Sequence, residues 1–227
     1  MSEMFEGHKP SELGVELDLR YATANNICGR PLYSNGEKVW LHEKAMSLLV
    51  KAASLAVEEG YKLLVFDAYR PQRVQEALWA QCPDDDYVAD PKKGSLHTRG
   101  IAVDVTLMKW EIEYEPHIRE TPSDVIDEVV EGPWWQAVPL PVDMGTDFDE
   151  MSEKAHWNAF EKGLITPEQR ENRLALRAIM ESAGFETIPA EWWHYQIPLE
   201  GKERLYPLIE EHEEASLTDP ALLAEAA

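Results

Sequence analysis

Cysteine is nearly absent: the chain of 227 residues holds only Cys28 and Cys82, far apart and without C-x-x-C spacing. That excludes a disulfide-stapled secreted scaffold and a cysteine-built zinc module, and it fits two free thiols in a reducing, cytoplasmic setting. No apolar run approaches the roughly 18 residues that a membrane-crossing helix needs. The N-terminal MSEMFEGHKPSELG has no basic stretch leading into an apolar one, so no secretory leader is expected. Basic charge is also short. Lys and Arg total 21 against 43 Asp and Glu, a formal net charge of −22. Nucleic acid and anionic membrane are therefore not the expected partners, since both require a basic surface. Internal repeats, a G-x-S-x-G elbow and a phosphate-cradling glycine loop are missing, and His42-Glu43 lacks the second histidine of H-E-x-x-H.

What is present reads as one globular core. Residues 42–59 place Ala45, Leu48, Leu49, Ala52, Leu55 and Ala56 at helical spacing, with Gly60 beyond the end. A buried strand follows through Leu63–Phe66 and runs on to Arg70, and a helix is expected from Pro71 to about Ala80. SLHTRGIAVDVTL reads as a loop entering a strand in which Ile101, Val103 and Val105 alternate with Ala102, Asp104 and Thr106. Residues 109–140 are acidic, carry prolines and read as a surface insertion. Thr166, Pro167 and Gln169 spell a capping box with proline at its first helical position, and that helix ends at Gly184. EWWHYQI then reads as an aromatic strand. The order of elements predicts an α+β single domain, with a small antiparallel sheet flanked by helices over residues 1–207. The acidic residues 208–227 are expected to form a flexible tail.

Two stretches carry residues suited to metal chemistry. A catalytic zinc takes about three nitrogen or oxygen ligands and leaves one position to water. His97 and Asp104, in SLHTRGIAVD, qualify, and the small Ala102 on the same strand face leaves room beside them. A solvated histidine and a turn-capping aspartate remain the plainer alternative. In EWWHYQ, His194 can be a third ligand and Glu191 a carboxylate beside metal-activated water. Residues three apart on a regular strand face opposite ways. Both can reach one site only if Glu191 lies just before the strand or at a bulge. Otherwise Trp192 and Trp193 are core anchors and the two polar groups are incidental. Arg70 has the planar donors that suit an oxyanion or a carboxylate, or else an ion pair with Asp67.

S-x-H-x-x-G-x-A-x-D (Ser95, His97, Gly100, Ala102, Asp104) followed far downstream by E-W-W-H (Glu191–His194) resembles the D-alanyl-D-alanine dipeptidases, the zinc peptidases of vancomycin resistance and their bacterial relatives. LRYATANNICGR, FDAYRP and MGTDFDEM resemble three further segments of that family, in the same order. The resemblance implies the zinc D,D-peptidase architecture shared with hedgehog-type domains, and one Zn²⁺ per chain on His97, Asp104 and His194. It implies Glu191 as general base and Arg70 as the group that stabilises the tetrahedral intermediate. Tyr21 and Asp149 fall where the family holds the dipeptide's ammonium, Ser95 where it meets the carboxylate, and Tyr33 in a supporting position.

The implied reaction is hydrolysis of D-Ala-D-Ala to two D-alanines. A zinc carboxypeptidase or endopeptidase acting on peptidoglycan stem peptides is the nearest alternative, and a non-catalytic zinc-binding interaction protein a more distant one. Residues for a free ammonium weigh against the first, and Glu191 with Arg70 against the second. The 109–140 segment is longer than the family's corresponding hairpin. A lid, a narrowed pocket or support for a homodimer are the roles open to it.

Overall fold

The computed structural model describes residues 5–33, 38–85, 87–113, 136–199, 201 and 206–209. Among these residues eight strands and four α-helices follow in the order β1 (Phe5–His8), α1 (Pro10–Leu13), β2 (Glu16–Leu17), β3 (Val39–His42), α2 (Glu43–Glu58), β4 (Tyr61–Asp67), α3 (Gln72–Gln81), β5 (Ala102–Glu113), β6 (Gln136–Pro141), α4 (Pro167–Ala183), β7 (Glu186–Ile188) and β8 (Glu191–Gln196). The main sheet has six strands ordered β2-β4-β5-β8-β7, with β6 paired to the far half of β5. It is antiparallel except at one edge, where β2 runs parallel to β4. β1 and β3 form a separate antiparallel pair.

Local chemistry accounts for the helices. The His42 side chain caps α2 by accepting from the Lys44 amide at 3.2 Å. The helix buries Ala45, Met46, Leu49, Ala52, Ala53 and Ala56, a stripe at 3.6-residue spacing. The expected helix at Thr166 forms with its full capping box, the Thr166 hydroxyl and the Gln169 side chain each meeting the other's backbone. It closes on Gly184, whose φ of 116° is a conformation that other residues rarely adopt. α2 and α4 pack on each other, α2 also against β4 and α4 against β7 and β8. Trp192 and Trp193 are fully buried core anchors. Truncating either to alanine is expected to destabilise the fold by about 3–5 kcal/mol.

One expectation needs correction, and the structure adds detail to two others. The strand through Leu63–Phe66 ends at Asp67, so Arg70 stands in the connection ahead of α3 rather than on the strand. The segment 109–140 is not irregular at its ends: β5 runs on through Glu113 and pairs in register with Gln136–Pro141 of β6. Residues 114–135, the remainder of the expected insertion, lie outside the described residues. The docked chain also extends past residue 207, since the Ile209 amide donates to the Thr98 carbonyl at 3.1 Å. The rest of the expected tail, 210–227, lies outside the described residues. No helix among the described residues is long and apolar enough to cross a membrane, and Cys28 and Cys82 are both free.

Candidate active site

Strand register assembles the centre of the site. Asp104 on β5 and His194 on β8 are direct antiparallel partners, so their side chains rise from the same face. His97 arrives from the turn before β5, where Gly100 holds a φ of 65° and accepts no side chain. A Cβ there would come within 3.1 Å of the His42 backbone nitrogen. The Ser95 hydroxyl accepts the His97 amide at 3.2 Å and fixes the start of that turn.

The three candidate ligands converge. His97 Nε2 lies 3.2 Å from His194 Nδ1 and 3.3 Å from Asp104 Oδ1, and His194 Nδ1 lies 3.2 Å from the same oxygen. A tetrahedral ion with bonds of about 2.0–2.1 Å separates its ligands by roughly 3.3 Å. The triangle is therefore the size of one face of such a tetrahedron, and its two nitrogens and one oxygen are a suitable donor set. Among the described residues it is the only buried group of this kind. The remaining ring nitrogens are engaged in a way that suits ligation. His97 Nδ1 lies 2.8 Å from the Ala68 carbonyl, and His194 Nε2 lies 3.2 Å from Gln196 Oε1. Each outer nitrogen then carries the proton and leaves the inner lone pair free. Burial pushes the Asp104 carboxyl up, but His97 and then His194 outweigh it and hold the group well below the ordinary range.

Glu191 meets the condition set by strand geometry. β7 and β8 pair regularly at Thr187–Tyr195 and then slip, so that Ile188 faces Glu191. That irregularity turns Glu191 Oε2 to within 3.8 Å of His194 Nδ1. Glu191 is 8% exposed. Burial drives its pKa up to about 8, against the pull of His194 in the other direction.

Arg70 is buried above this group. Its Nε donates to Asp67 Oδ2 at 2.8 Å, Nη1 to Gln75 Oε1 at 3.0 Å, and Nη2 reaches Asp104 Oδ2 at 3.5 Å. The ion pair with Asp67 and a place at the cavity thus coexist. The Tyr21 ring covers the guanidinium at 4.8 Å, and the Tyr21 hydroxyl donates to Asp149 Oδ1 at 3.1 Å. Asp149 Oδ2 has no partner among the described residues. Burial raises the Asp149 pKa to about 7, although Arg70 and the Tyr21 hydrogen bond oppose it.

A cavity of about 200 Å³ is lined by Tyr21, Arg70, Ser95, Asp149 and Glu191 together with the three candidate ligands. Eight of the nine residues singled out from the sequence therefore share one space. Tyr33 is the exception: it is buried and interacts with Asp67, not with the cavity. Asp67, Gln75 and Gln196 were not singled out for the site. Gln196 follows His194 by two residues and so shares its strand face, a periodicity that could have found it.

The sequence pattern of the D-ala-D-ala dipeptidase family matches residues 11–113 and 137–212, skipping the stretch between β5 and β6. A protein of Escherichia coli K12 named D-alanyl-D-alanine dipeptidase is 37% identical over 195 residues, covering 86% of this chain and 83% of its own. Its namesake in Enterococcus faecium is 34% identical over 202 residues, covering 80% and 85%. A third, from Enterococcus faecalis V583, is 32% identical over 203 residues, covering 81% and 86%. This chain belongs to the D-ala-D-ala dipeptidase family of metallopeptidases.

Proposed function

We propose that this protein hydrolyses D-Ala-D-Ala to two molecules of D-alanine as a zinc-dependent dipeptidase. The observation that carries the reading is one small cavity with a metal-sized triangle beside Glu191 and an unpartnered carboxylate oxygen on Asp149. A free dipeptide is charged at both ends. A small cavity with an unpartnered carboxylate oxygen and a few donors suits it better than it suits an extended peptide.

His97 Nε2, Asp104 Oδ1 and His194 Nδ1 would hold the zinc. Once bound, it would polarise the scissile carbonyl and lower the pKa of the attacking water. Glu191 takes the proton from that water on its carboxylate and hands it to the departing amine nitrogen. Its burial and its place 3.8 Å from His194 Nδ1 suit a group that moves a proton beside the metal position. Arg70, locked by Asp67 and Gln75, presents fixed positive charge to the oxygen that becomes negative in the transition state. Asp149 Oδ2 accepts the substrate ammonium while Oδ1 stays on Tyr21. The Ser95 oxygen already accepts the His97 amide, which leaves its hydrogen to donate to the substrate carboxylate. Tyr33 supports Asp67 behind Arg70.

Asp149 gives the reading a pH signature. Without metal, burial holds the Asp149 carboxyl neutral up to about pH 7. On this account kcat/KM falls on the acid side as Asp149 takes up its proton, approaching tenfold for each pH unit. Asp149→Asn should raise KM by roughly tenfold to a hundredfold, the worth of a charge-assisted hydrogen bond. The same variant should be more stable than wild type at pH 8. A carboxyl whose pKa is raised by folding destabilises the native state progressively as pH rises from about 4 towards 7, and asparagine removes that term. Unchanged KM in Asp149→Asn would remove Asp149 from substrate binding.

A further inference from the structure

Asp149 adopts a φ of 62°, and it is the one non-glycine residue with positive φ among the described residues. Such a conformation persists only where the surroundings impose it. Its own side chain contributes one hydrogen bond, to Tyr21. The rest of the constraint comes from elsewhere, and the candidate is Arg173 on α4.

Arg173 is 2% exposed. Its guanidinium donates to three backbone carbonyls: Nε to Met144 at 2.7 Å, Nη2 to Lys154 at 2.9 Å and Nη1 to His156 at 3.1 Å. Met144 precedes Asp149 in the chain, while Lys154 and His156 follow it. A single planar cation therefore closes both ends of the loop that carries Asp149. Burial lowers the Arg173 pKa to about 10, with Glu150 and Asp143 opposing the fall, so the group stays charged at neutral pH. The guanidinium also lies 5.8 Å from the Trp192 ring, whose Nε1 donates to Thr146 Oγ1 on the same loop at 2.7 Å. A lysine ammonium cannot reproduce this. It is a compact point charge without the fixed fork that reaches three divergent acceptors.

We infer that Arg173 is a positioning residue for substrate affinity, setting the Asp149 carboxylate at the height and angle that receive the dipeptide's ammonium. This rests on Asp149 being the ammonium's anchor, as proposed above. Among the described residues Arg173 makes no hydrogen bond or ion pair to the metal triangle, and its three hydrogen bonds all go to the loop. Its loss should be felt in KM, and metal content should not change.

The test is a double-mutant cycle on the zinc-loaded full chain with D-Ala-D-Ala as substrate. Arg173→Lys is expected to raise KM about tenfold while kcat changes less than about threefold and zinc content stays at the wild-type value. Added to Asp149→Asn, the same substitution should change KM less than about twofold, because the group it positions is gone. An equal rise in both backgrounds overturns the inference, and so does a fall in kcat at unchanged KM. If Asp149→Asn alone leaves KM unchanged, the reading of Asp149 fails instead, and the two failures are distinguishable. Should Arg173→Lys not fold, Arg173→Gln takes its place, since its two amide hydrogens can serve at most two of the three carbonyls. It should raise KM about tenfold in wild type but less than about twofold in Asp149→Asn, and an unchanged KM in wild type overturns the inference.

Discussion

Glu191→Ala should retain zinc and lose activity by a factor of about 10²–10⁴ in kcat, the usual contribution of a positioned proton-transfer group. The expectation follows from where Glu191 stands. Its carboxylate reaches 3.8 Å from His194 Nδ1, yet it stays outside the triangle of ligand atoms whose edges are 3.2–3.3 Å. Removing it leaves those three atoms where they are. A stability change should accompany the loss. In metal-free protein the folded pKa is raised to about 8 from the ordinary value of 4.5. The carboxyl therefore destabilises the native state increasingly across that interval, and its removal should raise Tm more at pH 8 than at pH 5. Zinc content, kcat and Tm at two pH values check all three points. Wild-type kcat in the zinc-loaded variant would exclude Glu191 from the chemistry.

His194→Ala should instead lose the metal, and with it both activity and the stabilisation that bound metal confers. Three buried groups share the site, and two of its three edges include His194. With one ligand deleted, the two that remain fall short of the three that a catalytic zinc site of this type uses. In wild type, free zinc at about 1,000 times Kd should stabilise the fold by roughly 4 kcal/mol. That gain, read as a Tm shift on zinc addition and its reversal by a chelator, should be absent in His194→Ala. A wild-type zinc stoichiometry in this variant would reject His194 as a ligand. Gln196→Leu provides a graded companion: it keeps the ligand but removes the acceptor that fixes the His194 tautomer, so zinc affinity should fall about 10–100-fold.

Much of this site was legible because its chemistry is written in local patterns. The capping box at Thr166 and Gln169 places α4, and the i+2 relation of Ala102 and Asp104 places one ligand on an identifiable strand face. The bulge at Glu191 follows from the requirement that it and His194 reach one point, and the slip in β7–β8 pairing provides it. Other features depend on partners distant in the chain. The parallel pairing of Glu16–Leu17 with β4 is too short to leave a periodic signal. The extension of β5 through KWEIE alternates as a strand should, but its acidic composition suggested a solvated loop. Two prolines in QAVPLP argued against a strand, and they are tolerated in β6 because among the described residues it pairs only with β5. Arg173 gave no hint of its role, since a lone arginine on an amphipathic helix ordinarily faces solvent. Its three carbonyl partners are brought to it only by the fold.

The most direct test is D-alanine release from D-Ala-D-Ala by zinc-loaded protein, with N-acetyl-D-Ala-D-Ala in a parallel reaction. Cleavage of the free dipeptide and not of the blocked one is the predicted result. It would tie hydrolysis to a free ammonium, as the unpartnered Asp149 oxygen requires. Cleavage of the blocked substrate at a comparable rate would contradict the account and make the protein a carboxypeptidase. Failure to cleave either would sever the metal triangle from dipeptide hydrolysis altogether.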